Sequence, residues 1–119
     1  MKCSMIADQT TCSGHHTEAE SLQNAPISPQ IALAVADFFK ALADPTRVRI
    51  ISLLVDAEIC VGDLCRLLGM SQPSISQQLR TLRAANLVTM RREGKHIFYT
   101  LSDDHVRTVF RQCLDHIQE

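Results

Sequence analysis

Hydrophobic positions change period several times along this chain, and each change marks an element. Over residues 30–43, Ile31, Val35, Phe38, Phe39 and Leu42 recur at helical spacing. Asp44-Pro45 ends that run and starts the next, with Asp44 as N-cap and Pro45 at the first helical position. The second helix carries Val48, Ile50, Ile51, Leu53 and Leu54 and fades near Asp56. A shorter third helix over residues 61–68 is closed by Gly69. Ser71 caps a fourth, with Pro73 tolerated in its first turn; Ile75, Leu79 and Leu82 form its only apolar stripe. After Asn86 two short strands are expected, at residues 87–91 and 96–101. Arg92-Glu93-Gly94-Lys95 joins them, and Gly94 supplies the permissive backbone of a hairpin. A last helix begins at Ser102 or Asp103, with Val106, Val109, Phe110, Leu114 and Ile117 as its stripe. Residues 1–29 have no such pattern. They are rich in Ser, Thr, Gln, His and Cys, and read as a mobile arm ahead of a folded domain at residues 30–119.

A short helix, a glycine-containing turn and a second helix make a helix-turn-helix, in which the first residues of the second helix meet base edges in the major groove. Here the reading helix spans residues 71–84, and its leading residues are Ser71, Gln72, Ser74, Ser76 and Gln77. Glutamine makes paired hydrogen bonds to adenine, and serine is an adaptable partner for bases and phosphates. Arg80 follows, placed for a phosphate. The hairpin then concentrates Arg91, Arg92, Lys95 and His96 at one tip, as a basic wing does. The fold class is mainly α with a β-hairpin wing, a winged helix-turn-helix. A folded part of this size has a modest core, so a homodimer that buries more surface is expected.

Composition narrows the class. The apolar share of 45% and charged share of 21% suit a soluble globular domain. No apolar run approaches the roughly 18 residues of a membrane span, and the N-terminus has no secretory pattern, so the expected location is cytoplasmic. In that compartment the five cysteines are for metal, redox chemistry or burial rather than a disulfide framework. The net charge of −1 conceals an uneven distribution. Between Ser71 and Thr100, Arg80, Arg83, Arg91, Arg92 and Lys95 oppose Glu93 alone, whereas acidic residues dominate from Leu101 onward. A local basic patch is the footprint of a nucleic-acid surface, although a solvated helix face has the same charge.

Four motifs in order carry a family resemblance: Leu42-Ala43-Asp44-Pro45-Thr46-Arg47, Cys60-Val61-Gly62-Asp63-Leu64, Ser74-Ile75-Ser76-Gln77-Gln78-Leu79 and Gly94-Lys95-His96-Ile97-Phe98-Tyr99. Over residues 30–119 the chain resembles the ArsR/SmtB transcriptional repressors. The resemblance implies a homodimeric repressor of a metal-resistance operon that leaves its double-stranded operator, an imperfect inverted repeat, when metal binds. Members that respond to thiol oxidation keep a redox-switched repressor open as the alternative.

His105 and His116 are eleven residues apart. On a helix they share a face, within roughly 20°, but are separated by roughly 16 Å along the axis. Zinc holds nitrogen at about 2 Å, so two histidines of one helix cannot share an ion. Antiparallel pairing of two such helices brings His105 of one chain to His116 of the other, giving two equivalent sites per dimer. Glu119 is one turn beyond His116, and Asp103 lies beside His105. Taken alone, two such histidines on a terminal helix are more often surface residues than ligands. The resemblance implies that Asp103, His105, His116 and Glu119 are a Zn(II) ligand set, since zinc sensors of the family carry this acid-x-His…His-x-x-Glu pattern.

Cys60, directly before the reading head, matches a thiolate position of the family's soft-metal sensors, where a second Cys often follows two residues later; here that residue is Gly62. Cys65 is present instead. If both lay on one regular helix it would be turned about 140° from Cys60, a poor partner. The arm adds Cys3, Cys12, His15 and His16, and Cys12-x-x-His15 has ligand spacing. A thiolate-rich site from arm and Cys60 favours Cd(II), Cu(I), Ag(I) or Zn(II). A Cys12–Cys60 disulfide is the redox reading, and Cys65 and Cys113 are expected to be buried. A metal-storage or metal-delivery protein is the rival from another class. An enzyme is not expected, as there is no nucleophile elbow or phosphate loop.

Overall fold

The computed structural model describes residues 25–119. Five helices and a three-stranded antiparallel sheet follow the order α1 Pro29–Leu42, α2 Pro45–Leu54, β1 Ile59–Cys60, α3 Val61–Leu68, α4 Gln72–Ala84, β2 Val88–Glu93, β3 His96–Leu101 and α5 Asp104–Gln118. Side chains define the helix starts. Ser28 Oγ accepts from Ile31 N at 3.1 Å, Asp44 from Arg47 N at 3.1 Å, Ser71 from Ser74 N at 3.3 Å and Asp103 from Val106 N at 3.1 Å. Each satisfies a backbone donor left without a partner in the helix's first turn. Proline in the first turn of α1, α2 and α4 removes a donor that would otherwise be unpaired.

The turn of the helix-turn-helix depends on Gly69, which closes α3 at φ 64°. A Cβ added there meets nothing within 4 Å, so the cost of a side chain is conformational. Gly69→Ala is expected to lower stability by about 1 kcal/mol, read as a lower denaturation midpoint at unchanged urea m-value.

The sheet has order β1-β3-β2. Two points differ from expectation. First, β1 is an additional strand: Ile59 pairs with Tyr99 and Cys60 with Phe98, tying the approach to α3 onto the wing. A two-residue strand has too short a pattern to show as alternation. Second, β2 runs to Glu93, pairing with His96, so the turn is Gly94-Lys95 alone, with Gly94 at φ 64°. The hairpin projects further than a break after Arg91 would allow.

One core joins the head to the wing. Ile50, Ile51 and Leu54 of α2, Leu64 of α3, Ile75, Leu79 and Leu82 of α4, and Leu87 are essentially inaccessible. Tyr99 and Leu101 of β3 and Val106 and Phe110 of α5 complete it. The two terminal helices are different. Phe38 and Leu42 of α1 lean on the core, but Ile31, Leu33, Val35 and Phe39 are exposed. Likewise Val109, Leu114 and Ile117 of α5 are exposed, Ile117 at 74%. Both helices thus use one part of their apolar stripe and leave the rest uncovered.

Candidate nucleic-acid interface and metal positions

The reading helix presents its leading polar residues to solvent: Ser71, Gln72, Ser74 and Gln77 are exposed and Ser76 is half-buried. Its opposite face, Ile75, Leu79 and Leu82, is sealed in the core. Arg47, which the sequence reading left unassigned, holds this helix from behind. Its Nε donates to Ala41 O at 2.6 Å and its Nη1 to Gln78 Oε1 at 3.1 Å, so one guanidinium links the end of α1 to the reading helix.

The basic residues of the patch are not equivalent. Arg91 is gripped by Glu58, at 2.7 and 2.9 Å, and by Glu93 at 2.9 Å, with its guanidinium carbon 4.8 Å from the Phe98 ring centroid. Arg80 and Arg83 make no ion pair among the described residues: Arg80 donates to Gln77 Oε1 at 2.9 Å and Arg83 to Met90 Sδ at 3.4 Å. Arg92, Lys95 and His96 are exposed at the end of the hairpin.

Glu58 belongs to a short connection that three arginines from two elements hold. Arg107 of α5 donates to Val55 O at 2.7 Å, Arg111 of α5 reaches Asp56 at 2.6 Å, and Arg91 of β2 takes Glu58. The Arg91 hydrogen bonds hold the Glu58 carboxyl below its ordinary value of 4.5. A depressed folded value means that the contribution is present above the unfolded pKa and lost as pH falls through the folded one. Acid unfolding monitored below pH 4.5 is therefore expected to be less steep for Glu58→Gln than for the parent, with the two curves parallel near neutrality.

On α5 and at its two caps, Asp103, His105, His116 and Glu119 are all exposed. Asp103 Oδ1 caps the helix and lies 3.6 Å from His105 Nδ1. The Val106 amide, and after it the amide and imidazole of His105, hold the Asp103 carboxyl below its ordinary value. Within one protomer's described residues no three histidine, cysteine or acidic side chains come together as a metal group. The four α5 residues fit zinc by donor type, as two half-sets on one helix.

Cys60 is not on α3. It is the N-cap, with extended backbone at φ −81° and ψ 160°, and pairs in β1. No regular helix runs through both Cys60 and Cys65, so the 140° separation expected on one helix does not hold. Cys60 and Cys65 line one cleft with Gln72, Lys95 and His96, between α3 and the hairpin. Cys65 is half-buried and Cys113 is exposed, where burial was expected for both. Cys3, Cys12, His15 and His16 lie outside the described residues.

Residues 44–90 match the bacterial regulatory protein, arsR family. The "Transcriptional repressor SmtB homolog" of Synechocystis sp. is 41% identical over 105 residues, spanning 88% of this chain and 80% of that protein. The chain belongs to the ArsR family.

A second ArsR relative, the "Cadmium resistance transcriptional regulatory protein CadC homolog" of Staphylococcus aureus, is 31% identical over 97% of this chain and 96% of its own length. The solution structure of the homodimeric winged helix-turn-helix DNA-binding domain of Mb0332 from Mycobacterium bovis superposes with a TM-score of 0.71 at 29% identity, covering 82% of this chain and 92% of that one. This ArsR chain is therefore a winged helix-turn-helix DNA-binding transcriptional regulator and not an enzyme. No helix among its described residues is long and apolar enough to cross a membrane.

Proposed function

We propose that this regulator is a homodimeric, metal-responsive repressor, which holds an inverted-repeat operator without metal and releases it when Zn(II) binds between the two α5 helices. The observation that carries the reading is the state of α5. His105 and His116 are exposed on a helix whose Val109, Leu114 and Ile117 are exposed as well. An apolar face of this kind asks for a partner, and α1 offers another with Ile31, Val35 and Phe39. The homodimeric state of the Mb0332 domain supports a second copy of this chain as that partner.

In the dimer, Asp103 and His105 of one protomer and His116 and Glu119 of the other would hold the ion. A bound Zn(II) supplies a cross-link between the two α5 helices. The chain's own residues do the rest. Ser71, Gln72, Ser74, Ser76 and Gln77 read bases, while Arg80, Arg92, Lys95 and His96 line the DNA. Arg107 and Arg111 fasten α5 to the 55–58 connection. A soft-metal position at Cys60, completed by Cys3, Cys12 and His15 from the segment ahead of α1, suits Cd(II), Cu(I) or Ag(I) as well as Zn(II). The relative named for cadmium resistance supports a soft-metal response.

The test is selection from a random duplex pool without metal, followed by zinc addition. The expected result is an inverted repeat with half-sites about one helical turn apart, released by zinc. Selection of no sequence would contradict the repressor reading. Release by diamide but not by zinc, retained in a His105/His116 double alanine variant, would replace metal with thiol oxidation as the signal.

A further inference from the structure

The wing and the reading helix enclose a cleft of about 500 Å³ lined by Ser76, Arg80, Arg83, Ala84, Met90 and Tyr99. Arg80 and Arg83 are three residues apart on α4, on neighbouring positions of one face, and both line it. Both are exposed, and neither has a carboxylate partner among the described residues. Their contacts there are neutral, a carboxamide oxygen and a thioether, and a thioether is a weak acceptor. Each guanidinium carries five donors, so most remain unused. Tyr99 is 8% exposed, and its hydroxyl has no hydrogen-bond partner among the described residues. No fully buried side-chain oxygen or nitrogen is left unpaired in the described part, so that hydroxyl has an outlet, and the cleft lies beside it. Ser76 adds a second hydroxyl. Arg91, one strand position nearer the turn than Tyr99's partner Met90, is already held by two carboxylates.

We propose that this cleft seats a phosphodiester of the DNA backbone, with Arg80 and Arg83 as its charges and Ser76 and Tyr99 as its neutral donors, and that Arg91 braces the wing without touching phosphate. The proposal rests on the DNA-binding reading and deepens it. Arg83 and Tyr99 become backbone contacts, and the charge of the basic patch is divided by partner rather than by position in the sequence. The division follows from electrostatics. A guanidinium already paired with two carboxylates releases few counterions from DNA, whereas one without such a partner releases them in full.

Because a phosphate contact carries no sequence information, a fluorescent mixed-sequence duplex about three helical turns long is a sufficient probe. Affinity of the full-length dimer for it is measured by anisotropy from about 50 to about 200 mM salt. With one cleft per protomer, Arg83→Gln is expected to make the slope of log K against log salt shallower by about 2 per dimer. The parent-to-variant affinity ratio then narrows about tenfold across that salt range. Arg83→Lys keeps the parental slope. The charge-balanced double variant Glu58→Gln/Arg91→Gln keeps it too. Tyr99→Phe weakens binding several-fold at unchanged slope. A parental slope in a folded, DNA-bound Arg83→Gln dimer would overturn the proposal, as would an Arg83→Lys dimer losing as much slope as Arg83→Gln, which would reduce Arg83 to packing on Met90. A shallower slope for the Glu58/Arg91 pair would overturn the part given to Arg91, and unchanged affinity of Tyr99→Phe the part given to its hydroxyl. A parent that does not bind the duplex at the lowest salt would instead remove the DNA-binding reading itself.

Discussion

A heterodimer of one His105→Ala protomer and one His116→Ala protomer is expected to bind one zinc ion tightly, whereas either variant as a homodimer binds none on α5. The reason is positional. The two histidines stand eleven residues apart on a continuous helix, Asp104–Gln118, which places them roughly 16 Å apart along its axis. A tetrahedral ion with bonds of about 2 Å cannot bridge that span within one chain. If each site takes His105 from one chain and His116 from the other, every site in either homodimer lacks a histidine. The heterodimer is different: the intact His105 of the His116→Ala chain meets the intact His116 of its partner at one end, and both losses fall at the other. Competition with a chromophoric chelator, on heterodimer purified through two tags, reads the stoichiometry directly. A heterodimer as empty as the homodimers would place the ligands within one chain or off α5.

The second large effect is on folding. Leu79→Ala is expected to cost about 2–5 kcal/mol, and Gln77→Ala close to nothing. Leu79 is 1% exposed, between Ile75 and Leu82 on the buried face of α4, and its neighbours belong to α2, α3 and the wing's base. A loss of that size is a large fraction of the total for a small domain, where roughly 5–15 kcal/mol separates folded from unfolded. Thermal or urea unfolding of the two variants separates the faces. Gln77→Ala keeps the parental midpoint and loses operator affinity; Leu79→Ala loses the midpoint first. Equal stability of the two variants would mean that α4 is not seated as described.

Most of the reading head was legible because its signals are local. Ser71 and Asp44 are recognisable as caps, and each accepts the expected amide; at the last helix Ser102 and Asp103 are both eligible, and it is Asp103 that accepts from Val106. Gly69 closes α3 with positive φ, as its position before a polar helix implied. What the sequence hid depends on contacts across the fold. Periodicity drew one stripe on α1 and one on α5, but it could not divide Phe38 and Leu42, which serve this chain's core, from Ile31 and Phe39, which remain uncovered. Helical arithmetic separated Cys60 from Cys65 because β1 is two residues long and leaves no alternation; the pairing with Phe98 that takes Cys60 off the helix is made with a strand 38 residues later. Charge counting treated Arg83 and Arg91 alike. Only the fold brings Glu58 to Arg91, 33 residues away in sequence. Arg47 escaped notice for the same reason: its role rests on Gln78, 31 residues distant.

In the proposed mechanism α5 and the reading head exchange free energy, with metal as input and DNA release as output. Calorimetric titration of zinc into the dimer, free and saturated with its selected operator, measures that exchange directly. Operator DNA is expected to weaken zinc affinity roughly 5- to 150-fold, matching the factor by which zinc weakens DNA binding. Identical zinc affinities with and without operator would contradict it.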